Sequence, residues 1–171
     1  MGDKRTNSGY KESMNEALSR RLSQPQFADP QQEALLSLLV AAHTMNDLMD
    51  GLCESHRITR PQYNVLRILR GVHPEGHARS DIARRMIDRA PDVTRLVDRL
   101  QARGLVKRSR GNDDQRQAMT IITAKGLKLL AKMQPDIDAA VGARLSRLND
   151  EDCRELSRLC GAILEPASAE M

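Results

Sequence analysis

Apolar residues recur at three- and four-residue steps through most of the chain, and the longest such stripe runs from Gln32 to about Glu54. Leu35, Leu38, Leu39, Ala42, Met45, Met49 and Leu52 form it, and Leu36, Val40 and Leu48 broaden it. The spacing predicts a helix, and an apolar face this wide predicts partners on more than one side. A second helix is predicted over Ile58–Gly71, where Thr59 and Gln62 stand at capping-box spacing, Pro61 falls in the first turn and Gly71 stops the run. The segment VHPEGH reads as a loop. A short helix follows over Ser80–Met86, with Ser80 as its expected N-cap. Another opens at Ala90-Pro91-Asp92 and reaches Arg103, its inner stripe being Val93, Leu96, Val97 and Leu100, with Gly104 as its stop.

Leu105–Arg110 and Gln117–Ile122 then read as two short strands around the turn residues GNDD. Thr123 is placed to cap a long helix carrying Leu127, Leu130, Met133, Ile137, Val141, Leu145 and Leu148, which Pro135 is expected to kink or split. Asn149 is placed to cap a final helix striped by Cys153, Leu156, Leu159, Cys160 and Ile163. Residues 1–30 are polar and rich in turn formers, with a short helix expected near Glu12–Leu22. The order of elements predicts a mainly α fold with one small β-hairpin. A short helix, a tight turn and a longer helix make a helix-turn-helix, and the adjoining hairpin makes it a winged one.

Composition narrows the function. The chain has 171 residues, 40% of them hydrophobic, enough for one domain with a real core. No apolar run approaches the roughly 20 residues of a membrane span, and MGDKRTNSGYKES has no apolar leader core, so the expected compartment is the cytoplasm and no membrane partner is expected. Cys53, Cys153 and Cys160 form no disulfide or metal framework. Tyr10, Phe27 and Tyr63 are the only aromatics, which counts against single-strand binding through stacking platforms. No Gly-rich phosphate loop, nucleophile elbow or metal signature is present, so neither an enzyme nor a cofactor is expected.

The net charge is +4, yet Arg79–Arg116 holds eleven Arg and Lys against six Asp and Glu, a local excess of five that leaves the rest near −1. That placement suits a module that meets a polyanion. Arg89, Asp92, Thr94, Arg95 and Arg99 lie off the apolar stripe of the helix that would enter a major groove. The hairpin adds Lys107, Arg108, Arg110 and Arg116 for a phosphate backbone or a minor groove, and Asp113 or Asp114 could hold one of these arginines. Asp92 is open to two roles, cap of its own helix or acceptor for a cytosine amino group. His73 and His77 are separated by a loop, so no metal site is expected from them. Each cysteine is open to simple packing or to oxidant sensing.

Three stretches carry a family resemblance. GLVKR, NDDQR and ITAKG resemble the wing and following helix of MarR-family regulators. VTRLVDRLQARGLV resembles their recognition helix, and ITRPQYNVLRIL the helix ahead of their helix-turn-helix. The resemblance covers roughly residues 35–165 and is specific over 58–130. It implies a homodimer on a pseudo-palindromic duplex, most often a repressor, with release by a small aromatic or phenolic effector. It implies a dimerisation helix over 31–57, a winged helix-turn-helix over 58–125 and dimerisation helices over 126–171, behind the segment over 1–30 whose polar composition reads as flexible. Thr94 and Arg95 match the family's threonine-arginine pair, Arg108 the basic residue ending the first wing strand, Asp114 the wing acid and Arg116 the wing arginine. His43, Met45, Met49 and Tyr63 fall near the family's effector cleft, and Cys53, Cys153 and Cys160 are its candidate redox residues. The chain departs from the pattern in the turn, with Ile87 and Asp88 where many members have glycine and an apolar residue. It departs again at the helix start, with Arg89, Pro91 and Asp92 in place of serines.

Overall fold

The computed structural model describes residues 15–88, 92–109 and 118–165. Its elements run in the predicted order: α1 (Glu16–Leu22), α2 (Pro30–Ser55), α3 (Arg60–Arg70), α4 (Arg79–Arg85), α5 (Val93–Ala102), β1 (Val106–Ser109), β2 (Met119–Ile122), α6 (Ala124–Leu145) and α7 (Asp150–Leu164). The helices begin where side chains can satisfy free backbone donors. Asp29 caps α2, Thr59 closes a capping box with Gln62 on α3, Thr123 caps α6, and Asn149 with Asp152 boxes α7.

Val65, Leu66, Leu69, Ile82, Val97, Leu100, Leu105, Val106, Ile122, Leu130 and Met133 make one core. It joins α3, α4, α5, the hairpin and the first half of α6, so the helix-turn-helix and the wing share a single interior. β1 and β2 pair antiparallel, with Val106 opposite Ile122 and Ser109 opposite Met119. A third segment joins them. His77 N donates to Thr120 O at 3.0 Å and Thr120 N to His77 O at 2.8 Å. Gly76 makes that approach possible, since a Cβ there would lie 2.4 Å from Thr120 O. This two-residue bridge has no strand signature, and it corrects one boundary. The chain stays extended through His77, so α4 starts at Arg79 with Ala78 as its cap position and no side-chain capping bond. Ser80, the expected cap, lies inside the helix.

Pro135 does not split α6, which is continuous from Ala124 to Leu145. Buried contacts hold it on both sides of the proline, at Leu130 and Met133 before and Ile137 after. Asp136 also pairs with His56 at 2.9 Å. The loss of one helical hydrogen bond is outweighed where both flanking turns are seated in the core.

The outer helices contrast with this interior. α7 buries no residue, and Leu156, Leu159 and Ile163 are exposed. Leu35 and Leu39 of α2 are likewise exposed. Among the described residues, no helix is long and apolar enough to cross a membrane.

Candidate nucleic-acid interface

α5 buries Val93, Val97 and Leu100 and leaves Thr94, Arg95, Asp98 and Arg99 exposed along the opposite side. Core packing thereby fixes which face is presented. Of the two roles open to Asp92, the geometry supplies the cap: one carboxylate oxygen accepts from Arg95 N at 3.0 Å, and the other lies 3.0 Å from Arg95 Nε. The same residue therefore starts the helix and restrains the guanidinium beside it.

Both edges of the exposed face are tied to neighbouring elements. On one side Arg79 Nη1 donates to Thr94 Oγ1 at 3.2 Å, linking the first residue of α4 to the groove-sized helix. On the other, the Arg108 guanidinium pairs with the Asp98 carboxylate and so joins β1 to α5. Sequence reasoning placed Arg108 in the wing as a cation and passed over Arg79 and Asp98. Their signal lies in which elements meet, which local spacing does not encode. Lys107 and Arg99 are exposed. Arg89, Arg110, Asp114 and Arg116 lie outside the described residues, as do Ala90, Pro91 and Asp113.

At the base of the wing, Thr123 Oγ1 donates to Gly104 O at 2.7 Å, and Thr123 N donates to Leu105 O at 3.0 Å. Lys125 Nζ donates to Arg103 O at 2.7 Å, at the C-terminal end of α5, where a cation suits the helix dipole. Hence the helix, the hairpin and α6 form one rigid corner.

The effector candidates do not all gather. Met49 and Tyr63 pack against the rim of the core. His43 is exposed and lies 3.4 Å from Asp47 on its own helix. Met45 is two residues away and so points about 200° round α2 from it. Among the described residues no three His, Cys, Asp or Glu side chains gather as a metal ion would require.

The cysteines differ sharply. Cys53 is fully buried, and its thiol is pushed up to about 11, first by burial and then by the Asp50 carboxylate, with Arg60 opposing. At pH 8 roughly one such thiol in a thousand is ionised, and the thiolate is the reactive form. Iodoacetamide at that pH is therefore expected to leave Cys53 unmodified in the native protein and to label it after unfolding, as read by peptide mass spectrometry. Fast native labelling of Cys53 would show that its burial is transient. Cys153 and Cys160 are half-buried on the apolar side of α7.

Comparison with known proteins agrees with this geometry. The sequence pattern of the MarR family matches residues 58–118, the stretch from the start of α3 into the wing. A MarR transcription factor from Planctomyces limnophilus, known from its crystal structure, is 37% identical with a TM-score of 0.61, covering 80% of this chain and 99% of that one. The HTH-type transcriptional regulator TtmR of Methylorubrum extorquens is 34% identical over 115 residues, 66% of this chain, and the chain spans 58% of TtmR's length. The S. aureus MepR–DNA complex shares the fold at a TM-score of 0.66 and 24% identity, covering 74% of this chain and 93% of that one. With its helix-turn-helix, its hairpin and these relatives taken together, the chain belongs to the MarR family of winged-helix, DNA-binding transcription regulators, which are not enzymes.

Proposed function

We propose that the chain acts as a homodimer that places two copies of α5 in successive major grooves of a pseudo-palindromic operator, with half-sites about one helical turn apart. The observation that carries this reading is α5 itself: one side is fixed in the core, and Thr94, Arg95 and Arg99 stand open beside the hairpin. Thr94 and Arg95 meet base edges, while Arg89 and Arg99 meet the backbone. Arg110 and Arg116 of the wing reach the minor groove, with Asp114 orienting Arg116 and Arg108 holding the wing to α5. Residues 31–57 and 126–171 supply the dimer, residues 58–125 read the DNA, and residues 1–30 lead into them.

The output is repression relieved by a small aromatic or phenolic effector, held near Met45, Met49 and Tyr63 between the two lobes. Release requires that the effector bind one spacing of the two recognition helices better than the other. The deciding experiment is a mobility shift on the DNA upstream of the chain's own gene, repeated across salt and with candidate phenols and oxidants. A sequence-specific complex that phenols dissolve is the expected result. Equal affinity for any duplex removes the operator reading.

Arg95→Ala is expected to weaken operator binding by about 1–3 kcal/mol and to relax discrimination at one base position, checked on single-base operator variants. A loss shared equally by all variants would move Arg95 from base reading to backbone contact.

A further inference from the structure

Arg60 opens α3, and its side chain is only 23% exposed. Its Nε lies 3.2 Å from Asp50 Oδ1 on α2, and its Nη1 lies 2.8 Å from Asp88 Oδ2 in the turn between α4 and α5. One guanidinium therefore joins the longest outer helix to the turn that leads into the DNA-reading helix. Its planar fork can serve two carboxylates from separate N–H edges, which the point charge of a lysine cannot do in the same geometry.

A second contact supports the same arrangement. Asn64 is buried, and its Nδ2 donates to Met86 Sδ at 3.7 Å. Residues 60 and 64 are four apart and so share a face of α3. That face holds the turn at two successive points, Met86 and Asp88. Ile87, between them, is 72% exposed and offers no buried anchor. Met86, Ile87 and Asp88 are not among the described residues with positive φ, so Asp88 stands where many relatives have an apolar residue without a left-handed backbone of its own. The acid at position 88, a departure from the family pattern, has its partner in Arg60.

We infer that Arg60 is a positioning residue for DNA reading: through Asp88 it sets where α5 begins, and through Asp50 it makes that placement depend on α2. The inference rests on the DNA-binding reading. It predicts a sign that simple electrostatics does not. Removing a carboxylate beside the DNA face, with nothing else changed, should tighten binding to every duplex. If Asp88 positions α5, the sequence the protein prefers must instead be bound less well.

The test uses a duplex enriched by the wild-type protein from a randomised pool, with a random duplex as reference and thermal melting as a stability control. Asp88→Asn is expected to bind the enriched duplex about five- to tenfold more weakly while holding the random duplex as well or better. Asp50→Asn should lose discrimination in the same direction but less, because the turn keeps its arm of the bridge. Arg60→Lys, which keeps the charge and loses the fork, should resemble Asp88→Asn. Enriched and random duplexes tightened by one common factor in Asp88→Asn would overturn the positioning role alone. A wild-type protein that enriches no duplex would overturn the regulator reading and this inference with it.

Discussion

Gly126→Ala is expected to destabilise the chain by about 2 kcal/mol, whereas Gly142→Ala in the same helix is expected to stabilise it by up to about 1 kcal/mol. Helix propensity favours alanine at both positions by about 1 kcal/mol, so the difference must come from space. A Cβ on Gly126 would lie 2.4 Å from Leu105 O and 2.7 Å from Ile122 Cγ1, whereas at Gly142 it would meet nothing within 4 Å. The first of these neighbours is backbone at the base of the wing, in the carbonyl that also accepts from Thr123 N, and it cannot swing aside as a side-chain end could. Overpacking of this kind costs about 1–3 kcal/mol and at times more, which outweighs the propensity gain. Thermal melting should show Gly126→Ala lowered by roughly 4–8 °C and Gly142→Ala unchanged or raised. Faster amide exchange in β1 and β2 of the first variant would locate the damage. Equal melting of the two variants would mean that α6 does not seat against the wing as closely as these distances require.

That glycine shows where a sequence pattern stops short. ITAKG was legible as a family signature, but the reason for its last residue is a carbonyl twenty-one positions earlier in the chain. Periodicity, caps and turn residues did locate the helices α2 to α7 and the hairpin among the described residues, because those signals are local: a stripe every three or four residues, Thr59 with Gln62, Asn149 before three acids. What local pattern could not supply is which elements meet. The bridge from His77 to Thr120 involves one residue on each side, too short for any alternation to reveal, and it moves the start of α4 off Ser80. Pro135 reads as a break in any helix considered alone, yet packing at Leu130, Met133 and Ile137 carries α6 through it. Glu33, in the first turn of α2, is buried and accepts from Asn15 N at 2.7 Å, a tie to α1 that no local pattern announces.

The candidate interface divides along the same line. The polar side of α5 could be read from the positions its apolar stripe leaves over. Its framing by Arg79 on one edge and by Asp98 with Arg108 on the other could not, since each pair spans ten or more residues. Arg108 is the instructive case. Its charge marks it as a wing cation, and its geometry adds a tie from the wing to α5 through Asp98 that local spacing does not encode. The cysteines part in the same way: nothing in spacing distinguishes Cys53 from Cys160, but burial beside Asp50 leaves Cys53 a packed thiol at neutral pH.

Replacing Leu156 and Leu159 together by aspartate is expected to convert the proposed homodimer into a monomer and to weaken binding to its proposed operator by about a hundredfold or more. α7 is fifteen residues long and buries none of them in its own subunit. A helix of that length is marginal in water on its own terms, even with a capping box. Its order is therefore best explained by something that covers the stripe of Cys153, Leu156, Leu159, Cys160 and Ile163, and the exposed Leu35 and Leu39 of α2 offer a second apolar surface of the same kind. A second copy of the chain, as in the proposed homodimer, would supply both faces at once. Two carboxylates on that stripe would have to be buried unpaired for the dimer to form, at a cost that its apolar contacts cannot match. Neither leucine belongs to the core of α3 to α6, so far-ultraviolet circular dichroism should keep most of its helical signal while sedimentation reports half the mass. Affinity for a random duplex should fall much less than affinity for the operator, because only the operator needs both recognition helices on one molecule. A double variant that remains dimeric would place the interface elsewhere, and a monomer with full operator affinity would show that one copy of α5 and one wing suffice.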